Sequence, residues 1–167
     1  MSQLSLSFDS LFVRDDFGRV QPASAVQILD AARRVIEQQL QRGVQFSAPD
    51  AVGEFLIGKL AGLPHEVFAV LFLDTRHRLI EYVELFRGTI DGASVYPREV
   101  VKETLARNAA AVIFAHNHPS GVGEPSSADR HLTQRLASAL SLVDVRVLDH
   151  IIVAGNTATS FAQRGLM

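Results

Sequence analysis

The residue types and spacing that could do chemistry in this chain lie in Ala115-His116-Asn117-His118-Pro119-Ser120-Gly121 and, shortly after, Ser126-Ser127-Ala128-Asp129. Side chains of an extended segment alternate between its faces. His116 and His118, one residue apart, therefore point to the same side and can reach one ion. Asp129, eleven positions after His118, could close the site. Two neutral imidazole nitrogens and a carboxylate oxygen suit zinc, and three protein ligands leave a fourth tetrahedral position for water, as in catalytic rather than structural sites. Such an ion lowers the pKa of its water and polarises a carbonyl oxygen, so hydrolysis is the first chemistry to test. Asp129 also has a second reading. Ser126-Ser127-Ala128-Asp129 spells a helix start, with Ser126 as N-cap and an acid at the third helical position, where the helix dipole favours it. The two readings are compatible, because a cap can fix the turn that aims a ligand. The contiguous letters His-Asn-His are a coincidence with the HNH nuclease name, which describes residues spread over a larger motif.

The elements that must position these residues alternate as in an α/β domain. The apolar run 109–115 reads as a short strand ending directly in the histidines, at the exit of a central strand where α/β sheets commonly place their sites. Before it, 67–73 is a nearly continuous apolar strand, 74–78 a polar turn, and 79–86 the second arm of a hairpin. Pro97 opens a helix through about Arg107. After the site, a helix is expected from Ser126 to about Leu142, and a last major strand over 145–153. Nearer the N-terminus, Leu4, Leu6 and Phe8 alternate like a strand, and Asp15-Asp16-Phe17-Gly18 reads as a turn. Residues 24–41 carry apolar positions at helical spacing with Gly43 as a stop, and 49–60 forms a second helix with Ser47 as cap. The organisation expected is an N-terminal arm and amphipathic helix over 1–48, then a metal-binding domain over 49–167.

Composition bounds the setting. The 167 residues have the length of one ordinary domain, and 47% hydrophobic with 20% charged residues describes a soluble globular chain. With no cysteine, disulfides, Cys-based zinc sites, thiol nucleophiles and the Cys-x-x-Cys zinc deaminases are excluded. No leader-like n-region and no run of about 18 apolar residues is visible, so the expected setting is the cytoplasm, without a membrane. A net charge of −2 supplies no general attraction to nucleic acid. Gly121-Val122-Gly123-Glu124-Pro125 lacks the Walker lysine and reads as a rim over the metal rather than a phosphate cradle. His65, His77 and His131 have no partner at ligand spacing and are expected at the surface or in caps. Asp149-His150 is either a pair that orients a ligand or, the favoured reading, a satisfied buried histidine.

Taken together, His116-x-His118-Pro119, ten residues and then Asp129, with Ser126 three before it, resembles the metal-binding motif of the JAMM (MPN) metalloproteases. The wider wording is similar to their RadC-like bacterial branch. It includes Glu66-Val67-Phe68, Phe86-Arg87-Gly88-Thr89, Tyr96-Pro97-Arg98-Glu99-Val100, the His-Asn-His-Pro-Ser-Gly loop and Asp149-His150-Ile151-Ile152-Val153. The likeness spans 49–166. With few residues before it, the chain looks like a short form without the N-terminal helix-hairpin-helix region of larger RadC proteins.

The resemblance implies a JAMM/MPN, cytidine-deaminase-like α/β fold, a mixed sheet flanked by helices in a single domain. It implies Zn2+ held by His116, His118 and Asp129, with Ser126 stabilising the oxyanion and Glu66 taking the proton from the attacking water. On the residue pattern alone, Glu66 ranks with Glu54 and Glu81. The implied activity is hydrolysis of a peptide or isopeptide bond in a protein or peptide substrate, a homodimer being left open as the assembly. The resemblance also brings an association with DNA repair, which the composition does not support. Alternatives are a metal-dependent nuclease or DNA-repair accessory protein, told apart by a basic stripe and salt-dependent DNA affinity, and a binding module without turnover.

Overall fold

A computed structural model describes residues 11–14, 18–39, 49–88 and 94–167. The alternation at 4–8, the Ser47 cap and the Gly43 stop lie outside these residues. The chain divides into two compact units, Met1–Gln39 and Leu40–Met167.

In the first unit, β1 (Phe12–Arg14) and β2 (Val20–Pro22) pair antiparallel on either side of the expected turn. They are followed by helix α1 (Ala25–Gln39). Ser24 opens this helix by exchanging hydrogen bonds with Gln27, whose backbone N–H donates to Ser24 Oγ at 3.3 Å.

The second unit is a five-stranded mixed sheet with helices on both faces. In chain order it runs α2 (Pro49–Leu60), β3 (Val67–Leu73), β4 (Leu79–Arg87), α3 (Pro97–Ala106), β5 (Ala111–Asn117), α4 (Ser127–Ser141), β6 (Arg146–Ala154) and β7 (Thr157–Ser160). The spatial order is β4-β3-β5-β6-β7, so the strand carrying the histidines is central. β3 pairs antiparallel with β4 and β5, whereas β5 and β6 run parallel and need the α4 crossover between them.

Both faces are covered, which is why β3 and β5 read as continuous apolar runs and are buried throughout. Phe68, Val70, Phe72, Val112 and Phe114 form one face and pack with Val100 of α3 and Leu136 and Leu140 of α4. The other face lies under α2, which approaches closely enough at Gly53 that an added Cβ would stand 3.2 Å from the Ala158 Cβ of β7.

Two elements depart from the sequence expectation. β5 continues through His116 and Asn117 instead of stopping before them, because β6 extends the ladder to Asn117↔Val153 and His118 N–H still donates to Val153 O at 2.8 Å. β7 was not anticipated, although the two-residue Gly155-Asn156 link between β6 and β7 is a hairpin signal, with Gly155 at a φ of 56°. No helix among the described residues is long and apolar enough to cross a membrane.

Candidate metal centre

Three donors converge where β5 ends and α4 begins. His116 sits on β5 with 2% of its surface exposed, its ring stacked on Phe68 of β3 at 6.5 Å and 18°. His118 lies one residue beyond the strand and remains part-exposed. Asp129 projects from the first turn of α4, which Ser126 caps in both directions. Asp129 N–H donates to Ser126 Oγ at 3.1 Å, and Ser126 N–H donates to Asp129 Oδ2 at 2.8 Å. The Ser126 hydroxyl also donates to Oδ2 at 2.6 Å. The cap reading and the ligand reading of Ser126-Ser127-Ala128-Asp129 are therefore one structure: the capping box is what aims the carboxylate.

The fit to a metal can be tested on donor separations. Two donors about 2.05 Å from a tetrahedral zinc lie about 3.3 Å apart. The observed edges are 2.9 Å between His116 Nε2 and His118 Nε2, 3.3 Å from His116 Nε2 to Asp129 Oδ1, and 3.6 Å from His118 Nε2 to Asp129 Oδ2. Each distance lies near that value, the two imidazoles facing different oxygens of Asp129, and with one ligand atom taken from each residue all lie within 4.8 Å of one another. The group could hold a metal ion.

Electrostatics follow from this crowding. Burial pushes the Asp129 carboxyl up, but hydrogen bonds from His116, His118 and Ser126 outweigh it and hold the group far below the usual carboxylate range. The Asp129 contact raises the His118 imidazole against an opposing effect of burial, and the Val122 carbonyl and the charge of Glu66 add to the rise. Burial, and then the neighbouring His116, push His150 well below the ordinary histidine value.

Glu66 lies two residues before Phe68, whose pairing with His116 ends the β3–β5 ladder, and its charge is among those acting on the His118 imidazole. Its backbone is pinned on three sides. Gly88 N–H donates to Glu66 O at 2.8 Å, Val67 N–H donates to Asn117 Oδ1 at 2.8 Å, and Asn117 Nδ2 donates to His65 O at 3.0 Å. The other two glutamates are elsewhere. Glu54 is exposed on α2, lining a cleft with Ile151 and Ala158 on the opposite face of the sheet, and Glu81 pairs with Arg107 Nε at 2.6 Å.

Three site features escaped the sequence reading, and the contact of a fourth residue, His150, with His116 was not specified there. Asn117 uses the alternation that sends both histidines one way to reach the other way, toward β3. Thr133 follows Asp129 by four residues along α4, a helical neighbour spacing that was legible but unremarked. The Val122 carbonyl, in the rim loop, accepts from His118 Nδ1 at 2.6 Å. His150 is a satisfied buried histidine that also reaches His116, at 2.8 Å between Nε2 and Nδ1. Asp149 does not touch the His150 ring. It accepts from the His150 and Ala162 backbone N–H groups and from Ser160 Oγ.

Of the remaining histidines, His131 is exposed and bonds the Ser127 carbonyl, and His77 sits in the β3–β4 turn near Arg146. His65 departs from the surface expectation: it is half-buried, with no hydrogen-bond partner for Nε2. A cleft of about 170 Å³ bordered by Leu60, Gly62, Asn117, His118, Gly121 and Gly155 opens beside the second histidine.

The family described as RadC-like JAB domain matches residues 46–166. The chain belongs to this RadC-like JAB family. Its three-donor geometry and its family are consistent with a JAMM-type metallohydrolase. Similar proteins include a UPF0758 protein of Vibrio cholerae, 59% identical over 92% of this chain and 97% of that protein. A UPF0758 protein of Methylibium petroleiphilum is 59% identical over 90% of this chain and 68% of the relative. That of a Janthinobacterium species is 51% identical over 96% of this chain and 72% of its own. Their names state no activity. The matched span opens three residues before the stretch that carries the motifs, and ends with it.

Proposed function

We propose that this RadC-like domain is a zinc-dependent metallopeptidase that hydrolyses a peptide or isopeptide bond. The reading is carried by the three converging donors, with the carboxylate residue Glu66 near enough for its charge to act on one of them. His116 Nε2, His118 Nε2 and a carboxylate oxygen of Asp129 would hold the ion. Zinc bound there would supply a polarised carbonyl and an acidified water.

The protein's own groups account for the proton traffic. Glu66 takes a proton from the attacking water as its oxygen bonds to the carbonyl carbon, then delivers it to the nitrogen as the C–N bond breaks. Ser126 is exposed at the mouth of the site, so its hydroxyl can turn from Asp129 Oδ2 to the developing oxyanion. Asp129 Oδ2 keeps the Ser126 backbone N–H when that happens, which limits the cost of the switch.

The test is metal analysis joined to an unbiased peptide-cleavage screen of the zinc-loaded protein. One zinc per chain is expected, lost in His118→Ala, with cleavage that disappears on chelation. Full zinc occupancy in His118→Ala would refute the ligand set. A zinc-loaded protein that cleaves nothing in the screen would refute the peptidase.

A further inference from the structure

Behind the three donors runs a hydrogen-bonded circuit that admits one arrangement of protons. Thr133 Oγ1 donates to the Asp129 carbonyl oxygen at 2.7 Å. A carbonyl can only accept, so this bond uses the single hydroxyl proton. The same Oγ1 lies 2.6 Å from His150 Nδ1 and must accept there, so His150 Nδ1 carries the hydrogen. His150 is fully buried against the rings of Phe68, Phe114 and Phe161, at 5.7, 5.8 and 4.8 Å between centroids, an apolar setting that favours the neutral ring. A neutral imidazole has one N–H, which leaves a lone pair on His150 Nε2 facing His116 Nδ1. His116 Nδ1 therefore donates, so that in the neutral ring a metal requires, the lone pair falls on Nε2, the atom facing His118 and Asp129.

We propose that Thr133 and His150 are positioning residues that set the tautomer of His116, presenting its Nε2 lone pair to the metal in advance. The circuit leaves Asp129 through its backbone carbonyl and returns to its carboxylate at the ion, tying α4, β6 and β5 into one unit. His118 needs no relay: its Nδ1–H donates to Val122 O, which leaves Nε2 as the atom facing Asp129. The last link rests on the zinc reading given above, whereas the tautomers are a property of the protein alone. The two can be tested separately.

Long-range 1H–15N spectra of the metal-free, full-length protein read the imidazole tautomers directly. His150 and His116 are both expected to carry a proton on Nδ1, and an unprotonated Nδ1 in either would overturn the proposal. Zinc affinity, measured by competition with a chromophoric chelator, tests the consequence. Thr133→Val preserves the shape of a side chain that is 2% exposed but removes its hydroxyl, so zinc binding should weaken roughly 10- to 100-fold. Thr133→Ser, which restores the hydroxyl, should restore the affinity. Parental affinity in Thr133→Val, or a Thr133→Ser protein as weak as the valine variant, would overturn the proposal. Zinc held equally by the parent and His118→Ala would instead overturn the ligand set. The metal-free spectra distinguish that failure from this one.

Discussion

His116, Asn117 and His118 show how three adjacent side chains divide the work of a site. Strand alternation sends the two imidazoles to one face and the amide between them to the other, where it clamps the backbone on both sides of Glu66. Glu66→Gln keeps size and hydrogen-bonding reach but cannot take a proton near neutral pH. Hydrolysis should fall roughly 10²-fold or more, with zinc content unchanged. Parental turnover in that variant would remove Glu66 from the mechanism. Asn117→Ala leaves the Val67 N–H without its side-chain acceptor at a fully buried position, which should cost about 1–3 kcal/mol in denaturant unfolding. An unchanged unfolding midpoint would show that the clamp carries no load.

At the scale of elements, the site depends on how α2, α4 and the β3–β4 hairpin meet the sheet. Gly53 lets α2 lie against β7, and Gly53→Val would drive a branched side chain into Ala158. The variant should lose stability in thermal melts, and adding Ala158→Gly should recover part of the loss. A melting temperature unaffected by Gly53→Val would mean that α2 has room to shift.

The β3–β4 turn is held by Asp74, whose carboxylate accepts from the Arg78 and Arg76 backbone N–H groups and from Arg78 Nε. Those bonds, the Arg78 backbone N–H foremost, lower its pKa below 3.8. Because the folded value is the lower one, the stabilisation is present above about pH 4 and fades as pH falls through the folded value. Asp74→Asn should therefore melt below the parent at pH 7, with the gap closing in acid. A gap that persists unchanged at pH 2 would contradict this.

For the whole molecule, charge sets an expectation about partners. A net charge of −2 offers no general field to attract a polyanion, so tight duplex DNA binding at physiological salt is not expected. A submicromolar affinity in a mobility-shift titration at 150 mM salt would reverse that expectation and favour a nucleic-acid role.

The sequence by itself determined the local features. Continuous apolar runs marked β3 and β5, Pro97 and Ser126 marked the starts of α3 and α4, and the i, i+2 histidines marked a shared face, because each signal is written in neighbouring residues. Motif wording also joined His116, His118, Asp129, Ser126 and Glu66, but only by resemblance. Tertiary structure decided what depends on residues far apart in the chain. The meeting of β3 and β5 brings the charge of Glu66, and of neither Glu54 nor Glu81, to bear on His118. The parallel β5–β6 pairing sets His150 beside Phe114, two residues from His116, where its ring reaches the His116 imidazole. The reason is physical: spacing along one strand is fixed by the covalent backbone, whereas the pairing of two strands is fixed by the packing of both sheet faces at once.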